Sequence, residues 1–532
     1  MKKQAQGRRT RIASFVASAL ASAAYGPSIT WAQTADATLT GKVAPGTEVT
    51  ARNVATGATR RTKANAEGSY TLVGLPPGTY LVDAGPGTET AVTLTVASTA
   101  TLDLVAGAAT VTEGESIQQI TVSAKRLVDV KTPQVGATVS LQQIQTVPQL
   151  TRNFLEFADS VPGMAFSVDE KGNASIRGGA DDKSAANVYI DGVGQKNYIF
   201  GGVNGNGFTQ GNPFPQLAIG EYKVITSNYK AEFDQVTSAA ITAETKSGTN
   251  EFHGEAFGTY TDNGLRAYTP GELAAGKQTK SSDKEFGAAL GGPIIKDKLH
   301  FFVTYEGKRF TTPITVTPGG PSTLGGVPTA SLLPPSARAQ FGPSSLPFTE
   351  NLYFGKLDWE LSDYDHFEAS VKDRDETQVD GIGSGSAASA AQNIKNTDTR
   401  ITARWQHSAD RWFNDALFTY EDAFYTKLGV NTGNGTVYAV RDQNDVTILN
   451  TAAPDPRASQ NKGQRGPGFQ DDVTFHDLHW YGDHTLKGGF KYKDLKLTAA
   501  DALNIDPQFT YDVTAAVNLR SLYLKQIGRA HV

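Results

Sequence analysis

The sequence predicts a mainly β protein: a small β-sandwich, a compact α+β domain, and about ten strands of a large antiparallel transmembrane β-barrel. Three observations carry this. From His253 onward, segments alternate apolar and charged residues with period 2, as a strand with a different environment on each face requires. The connections between these segments alternate long and short. Beyond the N-terminus there is no run of about 18 uninterrupted apolar residues, hence no helical span. Composition agrees, with 54 Gly, 25 Phe and 19 Tyr in 532 residues, types that favour turns and strands. Cysteine is absent, so no disulfide framework, thiol nucleophile or thiolate metal site exists.

At the N-terminus, Lys2, Lys3, Arg8, Arg9 and Arg11 precede the apolar run IASFVASALASAA, and Thr30-Trp31-Ala32 offers a cleavage signature. This three-part layout predicts a secretory signal over residues 1–32. Its removal takes away five basic residues and no acid, moving the formal charge from −5 to −10. So acidic a mature chain argues against a nucleic-acid partner.

Residues 36–105 read as seven short strands rich in Thr and Val, punctuated by Gly and Pro, which predicts the sandwich. Within it, NAEGSYTLVGLPPGTYLVDA (Asn65 to Ala84) resembles the carboxypeptidase regulatory-like domain. A peptidase does not follow: no H-x-x-E occurs to share a zinc ion, and no catalytic constellation appears elsewhere, so the protein is not expected to be an enzyme. Residues 106–135 are a polar linker with one β-prone island, Ile117-Gln118-Gln119-Ile120-Thr121-Val122-Ser123. Residues 136–250 form the α+β domain. Helical spacing runs through Ile144, Leu150, Phe154, Leu155 and Ala158, and strands follow in ASIRGG, NVYIDGV, EYKVITSNY and SAAITAETKSG. The Gly-rich FGGVNGNGFTQGN between two of them has no phosphate-binding spacing.

Residues 251–526 carry the alternating segments. Leu299, Phe301, Val303 and Tyr305 oppose His300, Thr304, Glu306 and Lys308; Tyr353, Leu357, Trp359 and Leu361 oppose Lys356, Asp358 and Glu360. RITARWQ and TLKGGFKYK repeat the pattern. A soluble sandwich and a membrane barrel both fit it. The connections decide: long ones near 261–283, 310–350, 375–398 and 424–471 alternate with short ones near 294–298, 362–365, 408–412 and 482–483, the asymmetry of a transmembrane barrel. Trp359, Trp405, Trp412 and Trp480 fall beside the short turns, where an interfacial girdle in contact with outer-membrane lipid belongs.

IRGG (Ile176 to Gly179), YIDGV (Tyr189 to Val193), EYKVITSNYKAEFDQVTSAAITAETKSGTNEFHGEAF and GAALGGPIIKDKLHFFVTYEGKR together resemble the Oar-like branch of the TonB-dependent outer-membrane receptors. The resemblance implies that residues 136–250 are a plug inside the barrel, with plug and sandwich towards the periplasm. It implies no cofactor. The protein would import an extracellular ligand (a siderophore, saccharide, peptide or similar), energised by the TonB–ExbB–ExbD complex. TonB would pair with a short strand before the plug, a contact made mainly by backbone. Ile117 to Ser123 stand in that position as the TonB box. Gln195, Tyr198, Phe200 and Phe208 would be ligand contacts on an apical plug loop, or would pack that loop against the wall. Arg177, Gly178, Asp191 and Gly192 would be structural, Arg177 through an internal ion pair. VITSNY departs from the family's E-V-L-R-G-P pattern, so a plug–barrel contact through that Arg is not carried over. A surface adhesion or sensing receptor on the same fold is the alternative.

His476, His479 and His484 suggest a metal site, but strand geometry points the first two to opposite faces, and no metal is expected. The closing IGRAHV (Ile527 to Val532) matches the translation of a common sequencing-adapter stretch. It predicts that the natural gene continues and that the sheet ends on an open edge, since the family barrel needs about 22 strands.

Overall fold

The computed structural model describes residues 35–104, 125–126, 134–502 apart from short breaks (150, 170–171, 200–201, 204–208, 231, 325, 441–445, 452–458 and 480), 507–513 and 524–526. The expected signal, the island Ile117 to Ser123, Phe200, Phe208, Trp480 and the closing IGRAHV lie outside the described residues.

Seven strands build the sandwich: β1 (Ala37–Lys42), β2 (Glu48–Asn53), β3 (Thr59–Lys63), β4 (Ser69–Leu75), β5 (Gly78–Asp83), β6 (Thr90–Leu94) and β7 (Thr99–Thr101). One sheet runs β4-β1-β7 and the other β3-β2-β5-β6. Alternate residues of both sheets, among them Leu39, Val49, Leu72, Tyr80, Val82 and Val92, meet in a closed core, as two packed sheets require. A piece of the linker, β8 (Lys125–Arg126), adds to the free edge of β6 in parallel, Val92 opposite Lys125 and Thr93 opposite Arg126.

The second domain begins one residue inside the expected linker, with β9 (Val135–Val139). The helical spacing expected through Ile144 to Ala158 is not one helix. It divides into α1 (Leu141–Thr146), closed at its start by a Ser140/Gln143 capping box, and a 3-10 turn (Phe154–Ser160) capped by Asn153. Pro148 accounts for the break, since it lacks an N–H and disfavours helix in the residue before it. A hairpin of β10 (Met164–Val168) and β11 (Ala174–Gly178) follows, then β12 (Asn187–Ile190), β13 (Val193–Gly194), β14 (Ile219–Ser227) and β15 (Ala240–Thr245). The main sheet runs β13-β12-β15-β14-β9. Val188, Ile190, Tyr222, Val224 and Ile241 face the 3-10 turn's Phe154 and Leu155 in one core, which extends to the barrel's Phe302 and Phe354.

The third part opens with β16 (His253–Asp262), the short helix α2 (Pro270–Ala275), β17 (Ser282–Ile295) and β18 (Leu299–Val316). After the small hairpin β19 (Thr323–Leu324) and β20 (Val327–Pro328) come β21 (Gly342–Glu360), β22 (Asp365–Asp380), β23 (Gln392–Ser408) and β24 (Trp412–Gly429). Then follow β25 (Gly435–Val440), β26 (Val446–Thr451), β27 (Ser459–His479), β28 (Asp483–Lys493), β29 (Lys496–Ala502), β30 (Gln508–Asp512) and β31 (Leu524–Gln526). The large sheet is an antiparallel meander, β16-β17-β18-β21-β22-β23-β24-β27-β28, in which β29 also pairs with β27 and continues β28. Among the described residues it is open, with β16 and the β28–β29 strand at its edges.

Three expectations need correction. The strands extend into the expected long connections; β21 has 19 residues and β27 has 21, so those connections shrink to 317–341, 381–391 and 430–458. Alternation blurs in stretches such as RFTTPI near the end of β18, where both faces are half-buried, and this hid the extensions. The last strands, β30 and β31, do not join the barrel; they form a separate sheet with β25 and β26. Finally, the long connections, read from sequence only as lengths, do not stand apart from one another. Val316, Leu333, Leu346, Ile382, Val440, Ile448, Leu449 and Val513 share one hydrophobic core, so these connections fold together as a unit at their end of the barrel.

Candidate functional site

Along β21 to β23 the even-numbered residues face the inside, and register carries the same face to the odd positions of β24 and the even positions of β27. The outer face is apolar: Val303, Tyr353, Leu357, Trp359, Trp405 and Leu486 are exposed. Trp359, Trp405 and Trp412 ring the short turns. The inner face is charged and nevertheless buried, because the α+β domain fills the space it encloses.

Three tiers of contact seat that domain. At the mid-level, Glu350 Oε1 accepts the backbone N–H of Asn212 at 2.9 Å, and Lys308 Nζ donates to Asn212 Oδ1 at 3.1 Å. Arg374 stands beside Glu350 and Glu376, fully buried. Arg400 pairs with Asp398 at 3.0 Å and Glu421 at 2.9 Å, and donates to the Gly194 carbonyl at 2.9 Å. At the β28 edge, Lys487 binds Glu232 at 2.6 Å and Lys491 binds Asp234 at 2.8 Å. Nearer the short turns, Lys356 Nζ lies 2.9 Å from Glu368 and 3.6 Å from Glu244 of β15. Burial, reinforced by the Asp191 carboxylate, pushes the Glu244 carboxyl well up. Such pairs add little net stability, but removing one partner strands a buried charge at about 3–5 kcal/mol. They fix where the domain sits.

The sandwich closes the short-turn mouth. Asp36 Oδ2 reaches inside and accepts from Arg404 at 2.8 Å and Gln406 at 2.7 Å. Burial would raise this carboxyl, but Arg404 and Gln406 outweigh it and hold it below the ordinary value. Arg60 donates to Glu360 at 2.8 Å, and Thr71 to Asp477 at 2.7 Å. The sandwich also touches the α+β domain, through Val96 N to Glu221 at 2.8 Å and Lys223 Nζ to the Ala97 carbonyl at 3.1 Å. A cavity of about 890 Å³ lies where all three parts meet. None of these contacts was visible in sequence. Alternation marks a charged inner face, but which charges meet depends on register and on how the sandwich docks.

The expected site residues fall in different places. Asp191 adopts φ 49° and accepts from the Thr245 N–H and hydroxyl, both at 2.8 Å; Gly192 follows at φ 79°. This pair turns β12 into β13. Gly178 is buried where a Cβ would lie 3.0 Å from Ala239 and Ser238. Arg177 has an exposed side chain, and the expected internal ion pair is not formed among the described residues; β11 turns it away from the core that Ile176 enters. Gln195 is not at a ligand surface. It is buried and its amide donates to the Val193 carbonyl at 2.9 Å. Tyr198 is 43% exposed, its N–H donates to Gln464 at 2.8 Å, and Lys493 stands 5.8 Å from its ring. It faces the long-connection side, since Gln464 lies in the half of β27 nearest the 430–458 connection. His476 is buried beside Asp477, whereas His479 is exposed, so the expected divergence of these two stands. Instead Asp358, His366 and Glu368 come together, their nearest polar atoms all within 4.8 Å of one another.

A plugged, outwardly apolar barrel with short turns at one end and long connections at the other is the architecture of an outer-membrane receptor. Comparisons with known proteins agree. Residues 35–107 match the carboxypeptidase regulatory-like domain, and residues 244–332 match an outer membrane beta barrel domain. The chain is 28% identical to the TonB-dependent transporter Oar of Myxococcus xanthus over 261 residues, 45% of this chain and 23% of Oar. Its fold matches the outer membrane transporter YddB of Escherichia coli with TM-score 0.53 at 10% identity, covering 71% of this chain and 50% of that one. A mutant of the ferric enterobactin receptor of Pseudomonas aeruginosa is also similar, at TM-score 0.47 and 13% identity over 69% and 49% of the two chains. The chain thus spans about half of the solved transporter it matches, and the alignment about a quarter of Oar. The fold is that of the TonB-dependent receptors, and the protein is an outer-membrane β-barrel protein. The relative it resembles in sequence, Oar, is a TonB-dependent transporter, and the solved structure whose fold it shares is an outer membrane transporter.

Proposed function

We propose that the protein takes part in importing an extracellular ligand across the outer membrane, energised by TonB with ExbB and ExbD. The observation that carries this is the seated plug: the α+β domain fills the enclosed space and is held by ion pairs from Lys356, Lys487 and Lys491 and by hydrogen bonds with Lys308, Glu350 and Arg400 of the barrel. Diffusion alone would not clear such a path, so a lumen blocked this way calls for an external pull. Ile117 to Ser123 supply the handle, and the backbone of this β-prone stretch can be paired by an added strand. The ligand class stays broad: a siderophore, saccharide, peptide or similar. Tyr198 and the neighbouring long-connection unit are the side from which it would arrive.

Cysteine cross-linking tests the handle without knowing the ligand. Val122→Cys should form a disulfide with a cysteine-bearing TonB periplasmic domain in cells, and Ile120→Pro should abolish that cross-link. A cross-link profile peaking elsewhere, with none across residues 117–123, would sink the assignment. Once a ligand is found, Ile120→Pro should abolish uptake and spare binding; surface binding with no TonB-dependent uptake in the unmodified protein would favour an adhesion or sensing role.

A further inference from the structure

We propose that Asp358, His366 and Glu368 form a binding site for a first-row divalent metal ion, at the short-turn mouth where barrel, plug and sandwich meet. The site starts from register. Asp358 of β21 stands directly opposite Glu368 of β22, and Glu360 directly opposite His366. Like charges directly across a ladder are destabilising, and here both carboxylates are buried. Their arrangement needs a cation.

Two cations stand at hand, but Arg404, opposite Glu368 on β23, is taken up by Asp36 and Asp415, which leaves Lys356. Lys356 Nζ lies 2.9 Å from Glu368, 3.6 Å from Glu244 and 3.8 Å from Asp358, and it also interacts with Asp191. Four carboxyl groups therefore crowd around one ammonium, and burial already pushes one of them, Glu244, towards its neutral form. Glu360 does not add to this crowding, because Arg60 of the sandwich answers it. Two buried oxygens in this group, Asp358 Oδ2 and Glu244 Oε2, have no hydrogen-bond partner. Lone acceptors in a buried site carry a desolvation penalty, which a divalent ion would relieve.

The histidine is set up as a ligand. Its Nδ1 is 2.9 Å from Glu360 Oε1, which fixes the proton on Nδ1 when the ring is neutral. Nε2 then presents its lone pair towards Asp358 Oδ1, 3.9 Å away. A carboxylate behind a ligating imidazole is the usual way a protein orients that ligand and raises its basicity. One imidazole nitrogen with two carboxylates suits zinc, cobalt or manganese better than a large alkaline-earth ion. The donor atoms lie within 4.8 Å of one another, so binding at about 2.0–2.2 Å per ligand needs them to close by roughly 1 Å. Asp358 and His366 line the 890 Å³ cavity, which gives the ion a polar approach past Glu244 and His300.

The test is metal binding by the full chain, purified in detergent and stripped with a chelator. Co2+ serves as the spectroscopic probe and Zn2+ as competitor, and neither readout depends on transport. The unmodified protein should take up one equivalent of Co2+ displaceable by Zn2+. Asp358→Asn and His366→Gln should each weaken binding at least about tenfold, and Glu360→Gln by about 10–100-fold although it touches no metal. Lys356→Met removes the competing ammonium and should bind Co2+ more tightly, a gain that misfolding cannot imitate. If neither the unmodified protein nor Lys356→Met binds either ion, or if His366→Gln retains full affinity, the site is a proton-shared carboxylate cluster and the proposal falls.

Discussion

Asp36 shows how one side chain can hold two domains together. It is the last acidic group before β1, and it sits inside the barrel wall against Arg404 and Gln406. Its depressed carboxyl stays ionised through the neutral range. Its contribution to docking is present above the ordinary carboxylate range and is lost only as pH falls through the depressed value. Docking of the sandwich should therefore not change between about pH 5 and 8 through this group, as hydrogen exchange of β1 would show. Asp36→Asn removes the charge-assisted bond at every pH and should weaken docking by about 2 kcal/mol, seen as faster proteolysis within residues 105–134. Gly211 offers a second probe. A Cβ there would fall 2.2 Å from Glu350 Oε1 and 2.4 Å from Glu376 Oε2. Gly211→Ala should displace the carboxylate that accepts from Asn212 and loosen the plug by about 1–3 kcal/mol. The readout is faster exchange at Asn212 with barrel amides unchanged. Neither residue could be singled out from sequence, because Asp36 precedes a strand like many surface acids and Gly211 is one of several glycines in its loop.

At the level of elements, what the sequence made legible was periodicity, and what it hid was context. Period 2 identified the barrel strands and both of their faces, because lipid and lumen impose opposite demands on adjacent residues. It gave the wrong lengths where strands rise beyond the membrane and the two faces become alike, as in Arg309 to Ile314. It gave a false helix where Ile144 to Ala158 happened to keep helical spacing across Pro148. The candidate box rests on its position in the sequence alone, and of the candidate ligand contacts Tyr198 reaches the surface, whereas Gln195 is covered. The edge strand β9 carries a further expectation. It pairs on one side only, with β14, and three of its five residues are exposed. It should be the first strand of the plug sheet to exchange its amides, well before β12 and β15 in the buried interior. Equal protection of β9 and β15 would mean that the plug opens as a single unit.

Across the whole molecule, the large sheet keeps its inner face covered by the plug and leaves two strands unpaired on their outer sides among the described residues, β16 and β28–β29. Unpaired edges template further pairing. A chain of these 532 residues in detergent should associate edge to edge, measurable by light scattering during size exclusion. Thr259→Lys, which points a charge inward from β16, should reduce that association. A monodisperse monomer from the unmodified chain would show that the edges are protected in another way.

The short pairing of β8 with β6 sets the order in which a load would travel. Residues 105–124 run between two points on the sandwich, Leu104 at the end of its last strand and Lys125 on its β6 edge. The candidate box lies within that span. Tension applied to it is first borne by the sandwich, where two residue pairs must part before the remaining eight residues, 127–134, can be drawn taut to Val135. At about 3.3–3.6 Å per residue, those eight residues reach at most about 29 Å when fully extended. The plug is last in the order of load, behind a pairing two residues wide.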